Sequence, residues 1–447
     1  MNKNDILTLT IDKMAGSMGL ARHEGMAVFV KNALTGEKVT ARVEKVQKNC
    51  AFLKTVDILE PSPARREPPC PHYRQCGGCT LQHMDYRTGL EIKREHIRDT
   101  LTRIGGADID VPPVWGMDEP RRYRNKVILP VAAADGHIRA GYYAPRSHRL
   151  VPVDDCLLTP EGTMPVVRAV LKWMEDCGVP PYDEITHSGL IRHIMLRSDR
   201  KGNIMLAVVS RADIPHKEEL RRAAGAFPEI VSLILNIQPQ KGNVVLGPVN
   251  EVLAGEPRLR DTLCGSMFDI SPLSFLQVNI TQAERLYNCA LDFAALRGDE
   301  RVLDLYCGAG TISLLLAKHC REVTGIEAVE AAVRDAESNA RLNGIKNARF
   351  FAGNTEDVLP GLIQREGGFD AAVLDPPRKG CDAAVLSALA EEGVPKIVYV
   401  SCDPATQARD IAILRGRGYT AEKAQGVDMF PWTEHVETVV LMSRVQD

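Results

Sequence analysis

From about residue 265 the sequence alternates between short β-branched runs and stretches of helical length. The runs are RVLDLYCG, EVTGIEA, ARFFAGN, AAVLDPP and KIVYVSC. A strand followed by a helix before the next strand rejoins its sheet in parallel, so this repeat predicts a parallel sheet with helices on both faces. Such sheets bind ligands beyond the carboxyl ends of their strands. The segment VLDLYCGAGTISLLLA, 302–317, reads as strand, glycine turn and helix start. Gly308 and Gly310 let the backbone pass close to a ligand. Glu327 ends the next strand about 20 residues on, where an acidic group bonds ribose hydroxyls; alone it reads equally as a solvated loop residue. The turn lacks the full G-x-G-x-x-G that seats a pyrophosphate. S-adenosylmethionine, a nucleoside without phosphate, therefore fits better than NAD.

Asn354 and Asp375 end the next two strands, and Cys402 ends KIVYVSC before a Pro-containing turn. Tyr306, Thr311, Glu327, Asn354, Asp375 and Cys402 should thus face one crevice. Any one of them alone reads as a loop residue; the set reads as a site. Cys402 is open to three readings: buried spacer, metal ligand or nucleophile. A thiol at the rim of such a crevice is placed for nucleophilic work, with Arg378 or Lys379 of DPPRKG as groups able to lower its pKa. The last strand, HVETVVLM, carries Glu437 inside an apolar run, where a carboxylate is costly unless paired or functional. An outward-facing edge position is the alternative.

The 447 residues exceed one hydrophobic core, so two or three domains are expected. Residues 1–60 alternate in the strand period between Gly-containing turns, predicting a small antiparallel barrel of the kind that binds oligonucleotides. PSPARREPP follows as a stiff linker. YRTGLEIKREHIRDTLTRIGG predicts a helix, and residues 120–250 mix strands and helix as an α+β domain. Residues 1–150 carry 24 Lys+Arg against 17 Asp+Glu, a balance of +7; the remainder carries 31 against 41, or −10, and the two sum to −3. That asymmetry points to an anionic partner at the front. RRYRNK, 121–126, reads as a phosphate-and-stacking patch around Tyr123 or as solvated surface. No stretch approaches the ~20 apolar residues that span a bilayer, and the chain is expected to be cytoplasmic.

Twelve cysteines are many where disulfides are disfavoured. Cys50, Cys177, Cys264, Cys289, Cys320 and Cys381 stand alone and read as buried spacers. Cys70, Cys76 and Cys79 follow Cys-x5-Cys-x2-Cys, and Cys156 is available as a fourth ligand. The cluster suits zinc or iron–sulfur binding, and spacing does not choose between them.

SCDPATQARD, DPPRKG, DLYCGAG and HVETVVLM resemble, in order and spacing, the RNA uracil-5-methyltransferases, which include 23S rRNA and tRNA enzymes. The resemblance extends to CPHYRQCGGCTLQH and to the barrel, which is similar to a TRAM domain. It implies that Cys402 attacks C6 of the target uracil and that Glu437 removes the C5 proton. It implies S-adenosylmethionine as cofactor, held by Gln277, Tyr306, Thr311, Glu327, Asn354 and Asp375. Some members have Asn where Thr311 stands. It also implies a [4Fe–4S] cluster on Cys70, Cys76, Cys79 and Cys156, clipping the long intervening segment.

The resulting expectation is a multidomain chain. It has an OB-like β-barrel (TRAM) over 1–60 and a central α+β Fe–S domain over 61–81 and 115–255. The third part, over 82–114 and 256–447, is an α/β Rossmann-like methyltransferase domain. The expected partner is structured RNA, 23S rRNA first and tRNA second, with no membrane and with the protein acting as a monomer. A non-catalytic Fe–S RNA-binding protein and a small-molecule methyltransferase are the readings from other classes.

Overall fold

The computed structural model describes residues 1–445, so the last two residues of the expected catalytic segment lie outside the described residues. Ile6–Thr10, Lys13–Ala15, Met18–His23, Met26–Lys31, Lys38–Val46 and Cys50–Glu60 form one six-stranded sheet. Alternate residues along it, among them Val28, Val30, Val39, Ala41, Val43, Ala51 and Leu53, fill its interior.

The central domain is a seven-stranded sheet. Its spatial order is Val249–Gly255, Ile230–Ile237, Ile204–Ser210, Ile191–Ser198, Lys126–Ala134, His137–Tyr143 and Leu150–Pro152. Ile204–Ser210 and Ile230–Ile237 run parallel because the helix Lys217–Gly225 crosses between them. That helix and Thr163–Asp176 cover one face. Ile191–Ser198, whose charged Arg192 and Arg197 mask its strand pattern, lies at the centre of the sheet and is buried nearly throughout.

The catalytic sheet has the spatial order Ala348–Ala352, Glu322–Glu327, Arg301–Leu305, Ala371–Leu374, Lys396–Ser401, Glu437–Arg444 and Tyr419–Val427. The first five strands are parallel, and Glu437–Arg444 runs antiparallel to both of its neighbours, Lys396–Ser401 and Tyr419–Val427. Side chains alternate between two cores. Leu303, Leu305, Ile397, Tyr399, Val440 and Met442 enter one. Val302, Ala371, Val373, Val398, Val400, Val439 and Leu441 enter the other, against the helix Ile280–Ala294 and the hairpin Leu259–Leu263/Ser266–Ile270.

The helix Tyr86–Arg103 starts on Asp85, whose carboxylate accepts from Thr88 N at 2.9 Å. It buries Ile97 and Leu101 in the first catalytic core, beside the helix Pro404–Arg415. Its Lys93, 2% exposed, reaches Asp428 at 2.5 Å, and Tyr86 donates to the same carboxylate at 2.6 Å. Two donors and a charge partner make this buried carboxylate tolerable.

Candidate active site

Strand periodicity places the site. Asp375 continues the alternation of Ala371 and Val373, Cys402 that of Val398 and Val400, and Glu437 that of Val439 and Leu441. All three therefore project to the same face at the same end of the sheet. Ser401 pairs with Thr438, so Cys402 and Glu437 sit opposite each other across neighbouring strands. Glu437 is not on an edge: its strand lies between Lys396–Ser401 and Tyr419–Val427.

Burial governs the ionisation of the group. It pushes Glu437, 3% exposed, up to about 8, helped by the Asp375 charge and opposed by Arg378. Asp375 rises to about 7 for the same reason. The Cys402 thiol rises to about 11, chiefly by burial and then by Glu437, while Arg378 pulls it down.

These shifts carry a stability signature. Glu437 and Asp375 hold protons in the folded state at pH values where the unfolded chain has lost them. That stabilisation is full below the unfolded values and is lost as pH rises through about 7 to 8. The thermal midpoint of the ligand-free protein is therefore expected to fall as pH rises through about 7 to 8, with a shallower fall in Glu437→Gln. Scanning calorimetry at constant ionic strength checks this; identical slopes would count against a buried, titrating Glu437.

The glycine turn supplies the floor of the crevice. Gly308 has φ +55°, and a Cβ there would meet nothing within 4 Å, so the space above it is free. Glu327 accepts from Gly308 N at 3.1 Å and Val329 N at 2.8 Å. Both oxygens are thereby oriented, and each keeps a lone pair for a ribose hydroxyl. Asn354 is exposed and donates to Asp357 at 3.0 Å, leaving its carbonyl oxygen free to accept. Tyr306 has φ +67°, which breaks the alternation and turns its ring onto the opposite core.

Gln277 is buried, and its backbone carbonyl accepts from Asn125 at 3.0 Å. The Gln277 and Thr311 side chains lie near Tyr287, which also lies in the fields of Asp375 and Glu437. Tyr287 escapes sequence reading. It falls at core spacing on the helix Ile280–Ala294, and its hydroxyl is the only sign of another role.

The loop before Glu437 is clamped from outside the domain. Ser17 N of the barrel donates to Glu434 at 2.7 Å, and Thr80 N and Leu81 N donate to Trp432 O at 2.9 and 3.0 Å. A Cβ at Gly16 would stand 2.7 Å from Glu434 Oε2 and push that carboxylate aside, and the φ of +60° there favours glycine.

Cys70, Cys76, Cys79 and Cys156 are half-buried and free. Cys156 comes from a segment distant from the other three, yet the four lie in one another's fields: burial and then Cys156 push Cys79 up to about 12, with Cys76 and Cys70 adding to it. Among the described residues no group of three or more His, Cys, Asp or Glu forms a cage for a metal ion. Of the six solitary cysteines, Cys289, Cys320 and Cys381 are buried as expected, whereas Cys50, Cys177 and Cys264 are half-buried.

RRYRNK departs from its reading as an exposed patch. Tyr123 is 9% exposed and donates to Pro431 O at 3.3 Å, so it is not free to stack on a base. Arg121 pairs with Glu119, and Arg122 pairs with Asp155. The motif packs between domains, where burial overrides its polar composition.

Comparison with known proteins places this geometry. A tRNA (Uracil-5-)-methyltransferase family model matches residues 265–445, and a TRAM domain model matches residues 5–52. An uncharacterized RNA methyltransferase of Clostridium tetani is 44% identical over 100% of this chain and 98% of its own. One of Halalkalibacterium halodurans is 43% identical over 99% and 98%. The crystal structure of Pyrococcus abyssi tRNA (uracil-54, C5)-methyltransferase in complex with S-adenosyl-L-homocysteine aligns with a TM-score of 0.78. It shares 26% identity and covers 98% of this chain and 100% of that one.

Proposed function

The chain belongs to the RNA uracil-5-methyltransferase family, and from that premise we propose that it methylates C5 of a uridine in 23S rRNA through an adduct between Cys402 and C6. The observation that carries this reading is the shared face of Cys402, Glu437 and Asp375 at paired strand ends.

Glu327, Asn354, Asp375, Gln277, Tyr306 and Thr311 would hold S-adenosylmethionine, which supplies an electrophilic sulfonium methyl group when bound. A set of carboxylate acceptors and hydroxyls suits ribose and an α-amino acid better than phosphate, because the Gly308 N–H already donates to Glu327. The chemistry asked of the chain follows from uracil. C5 is a poor nucleophile; addition of the Cys402 sulfur to C6 turns C5 into an enolate carbon able to take a methyl group. Glu437 then accepts the C5 proton, and the C6–S bond breaks to return the thiolate. A base with a pKa near 8 is well matched to that proton at neutral pH. The target base must be splayed out of its stack to reach the rim, which favours loop uridines.

The P. abyssi relative acts on tRNA, so a tRNA uridine is the second reading. Mapping of C5-methyluridine in rRNA and tRNA from strains with and without the gene decides between them. Loss of the mark from 23S rRNA alone is the expected outcome.

The same reading assigns a [4Fe–4S] cluster to Cys70, Cys76, Cys79 and Cys156, in a domain comprising 61–81 and 115–255. Its support is the approach of Cys156 to the three thiols of the distant 70–79 segment. A cage for one ion needs its ligands at a single bonding radius, and none stands among the described residues; a four-iron cluster holds its thiolates farther apart. Anaerobically purified protein is expected to be brown, with absorbance near ~400 nm that Cys79→Ser abolishes. A colourless, zinc-loaded protein would overturn the assignment. The barrel and RNA surface are expected to operate in the cytoplasm; no helix among the described residues is long and apolar enough to cross a membrane.

A further inference from the structure

SCDPATQARD gives Cys402 to the mechanism and leaves its other residues without a task. Asp403 caps the helix Pro404–Arg415, its Oδ1 accepting from Ala405 N at 3.0 Å and Thr406 N at 3.1 Å. About two turns further along, Asp410 is fully buried. Its Oδ2 accepts from the Tyr399 hydroxyl at 2.6 Å and from Cys381 N at 2.8 Å, and its Oδ1 accepts from Arg409 Nε at 2.8 Å. Arg409 is exposed, and its Nη2 donates to Lys379 O at 2.9 Å. Neighbouring Arg and Asp of one helix thereby hold DPPRKG on both sides of Gly380. A Cβ at Gly380, φ +79°, would stand 2.5 Å from both Arg409 Nη2 and Asp410 Oδ2, so the turn lies directly against the pair. The turn also closes on itself, Gly380 N donating to Pro377 O at 2.8 Å.

Inside that turn stands Arg378. It is exposed and forms no ion pair among the described residues. Its charge acts on Cys402, Glu437 and His435 alike. The charged and titratable groups acting on Cys402 are Glu437, Asp375 and Arg378, and of these three Arg378 alone favours the thiolate. An arginine on a free surface turn sweeps many rotamers and dilutes its charge in solvent. Fixing the backbone on either side of it narrows where the guanidinium can stand. A buried carboxylate is tolerable only when its partners are complete. Asp410 has three donors, of which Cys381 N borders the turn and Arg409 reaches onto it.

We propose that Arg409 and Asp410 are positioning residues, fixing the Pro377–Gly380 turn so that Arg378 stands against Cys402 and Glu437. The proposal rests on the reading of Cys402 as the nucleophile. Nucleophile and pair belong to one continuous segment, so the helix that starts behind Cys402 also sets the cation beside it.

The test is a mutant cycle on the full-length protein. Alkylation by N-ethylmaleimide reads the Cys402 thiolate without turnover, resolved from the other cysteines by peptide mass spectrometry. At about pH 6 Glu437 and Asp375 keep their protons and add no charge. Arg378→Gln, Arg409→Ala and Asp410→Asn are each expected to slow alkylation of Cys402 about 2- to 5-fold. Cys264, whose charged neighbours are Glu284, Lys318 and Arg200, should keep its rate. In the Arg378→Gln background neither Arg409→Ala nor Asp410→Asn should slow Cys402 further, because no cation is left to place. Methyl transfer by Arg409→Ala should lose kcat on the order of 10-fold, and the loss should likewise vanish in that background. Unchanged alkylation in both single variants, or losses that add in full to that of Arg378→Gln, overturns the proposal; additive losses would mean a plain fold contact or a direct charge effect. Should Asp410→Asn fail to fold, Arg409→Ala, at an exposed helix position, reads the same coupling. Absence of methyl transfer by the unaltered protein would instead sink the functional reading, and the alkylation cycle would still decide the role of the pair.

Discussion

Glu437→Gln is expected to leave the enzyme covalently joined to its RNA. Glutamine keeps the shape of the glutamate but takes no proton, and it removes a carboxylate whose burial is unfavourable. Addition at C6 and methylation at C5 do not call on residue 437. Release does, because the C6–S bond breaks only as the C5 proton leaves. Loss of general-base assistance typically costs ~10²–10⁴-fold, so the adduct should accumulate within the first turnover. Denaturing electrophoresis after incubation with unmodified RNA and S-adenosylmethionine reads it as a slower protein band that ribonuclease collapses. Rapid, adduct-free turnover would falsify the base role.

Cys402→Ala is expected to abolish methyl transfer, by roughly 10⁴-fold or more, on the scale seen when a covalent nucleophile is removed. Cofactor binding should survive. The groups assigned to S-adenosylmethionine come from other strand ends and from Gln277, and Cys402 is a half-buried rim residue whose truncation opens no core cavity. Calorimetric titration with S-adenosylmethionine, beside a methyl-transfer assay, separates the two effects. Cys402→Ser should not rescue activity, since an alkoxide is a harder and poorer leaving group than a thiolate. Full activity in Cys402→Ala would remove the nucleophile from the mechanism.

The ligand-free thiol value of about 11 bears on both experiments. Burial and the Glu437 charge raise it, and a positive charge in the crevice would lower it. Above about pH 8, where Glu437 is charged, Glu437→Gln removes that charge, so thiol addition is eased there in the variant whose release is blocked. Both effects favour the trapped adduct.

Cys402 and Glu437 were legible in the sequence because each sits in a strong strand pattern, and a period of two says which way a side chain points once the strand is found. The same periodicity made the parallel sheet and the barrel readable. Ile191–Ser198 is hard to read as a strand because Arg192, His193 and Arg197 interrupt its apolar pattern. Tyr123 was misread because a Tyr between arginines looks the same exposed or buried. Tyr287 looked like core, and it is buried; what makes it part of the site is that Gln277, Thr311 and Asp375 lie near it, and those residues come from separate segments. Lys93 and Asp428, 335 residues apart, read as two solvated charges and form one buried pair.

The sequence by itself determined the order of strands and helices, the turn that floors the crevice, and the residues at the strand ends. These depend on backbone geometry and on local alternation of apolar and polar groups, which are written residue by residue. Only the tertiary structure decided that the last strand is interior and that the barrel clamps the loop before Glu437. Each of these depends on which distant surfaces exclude water together, and packing between segments carries no period that a single sequence displays.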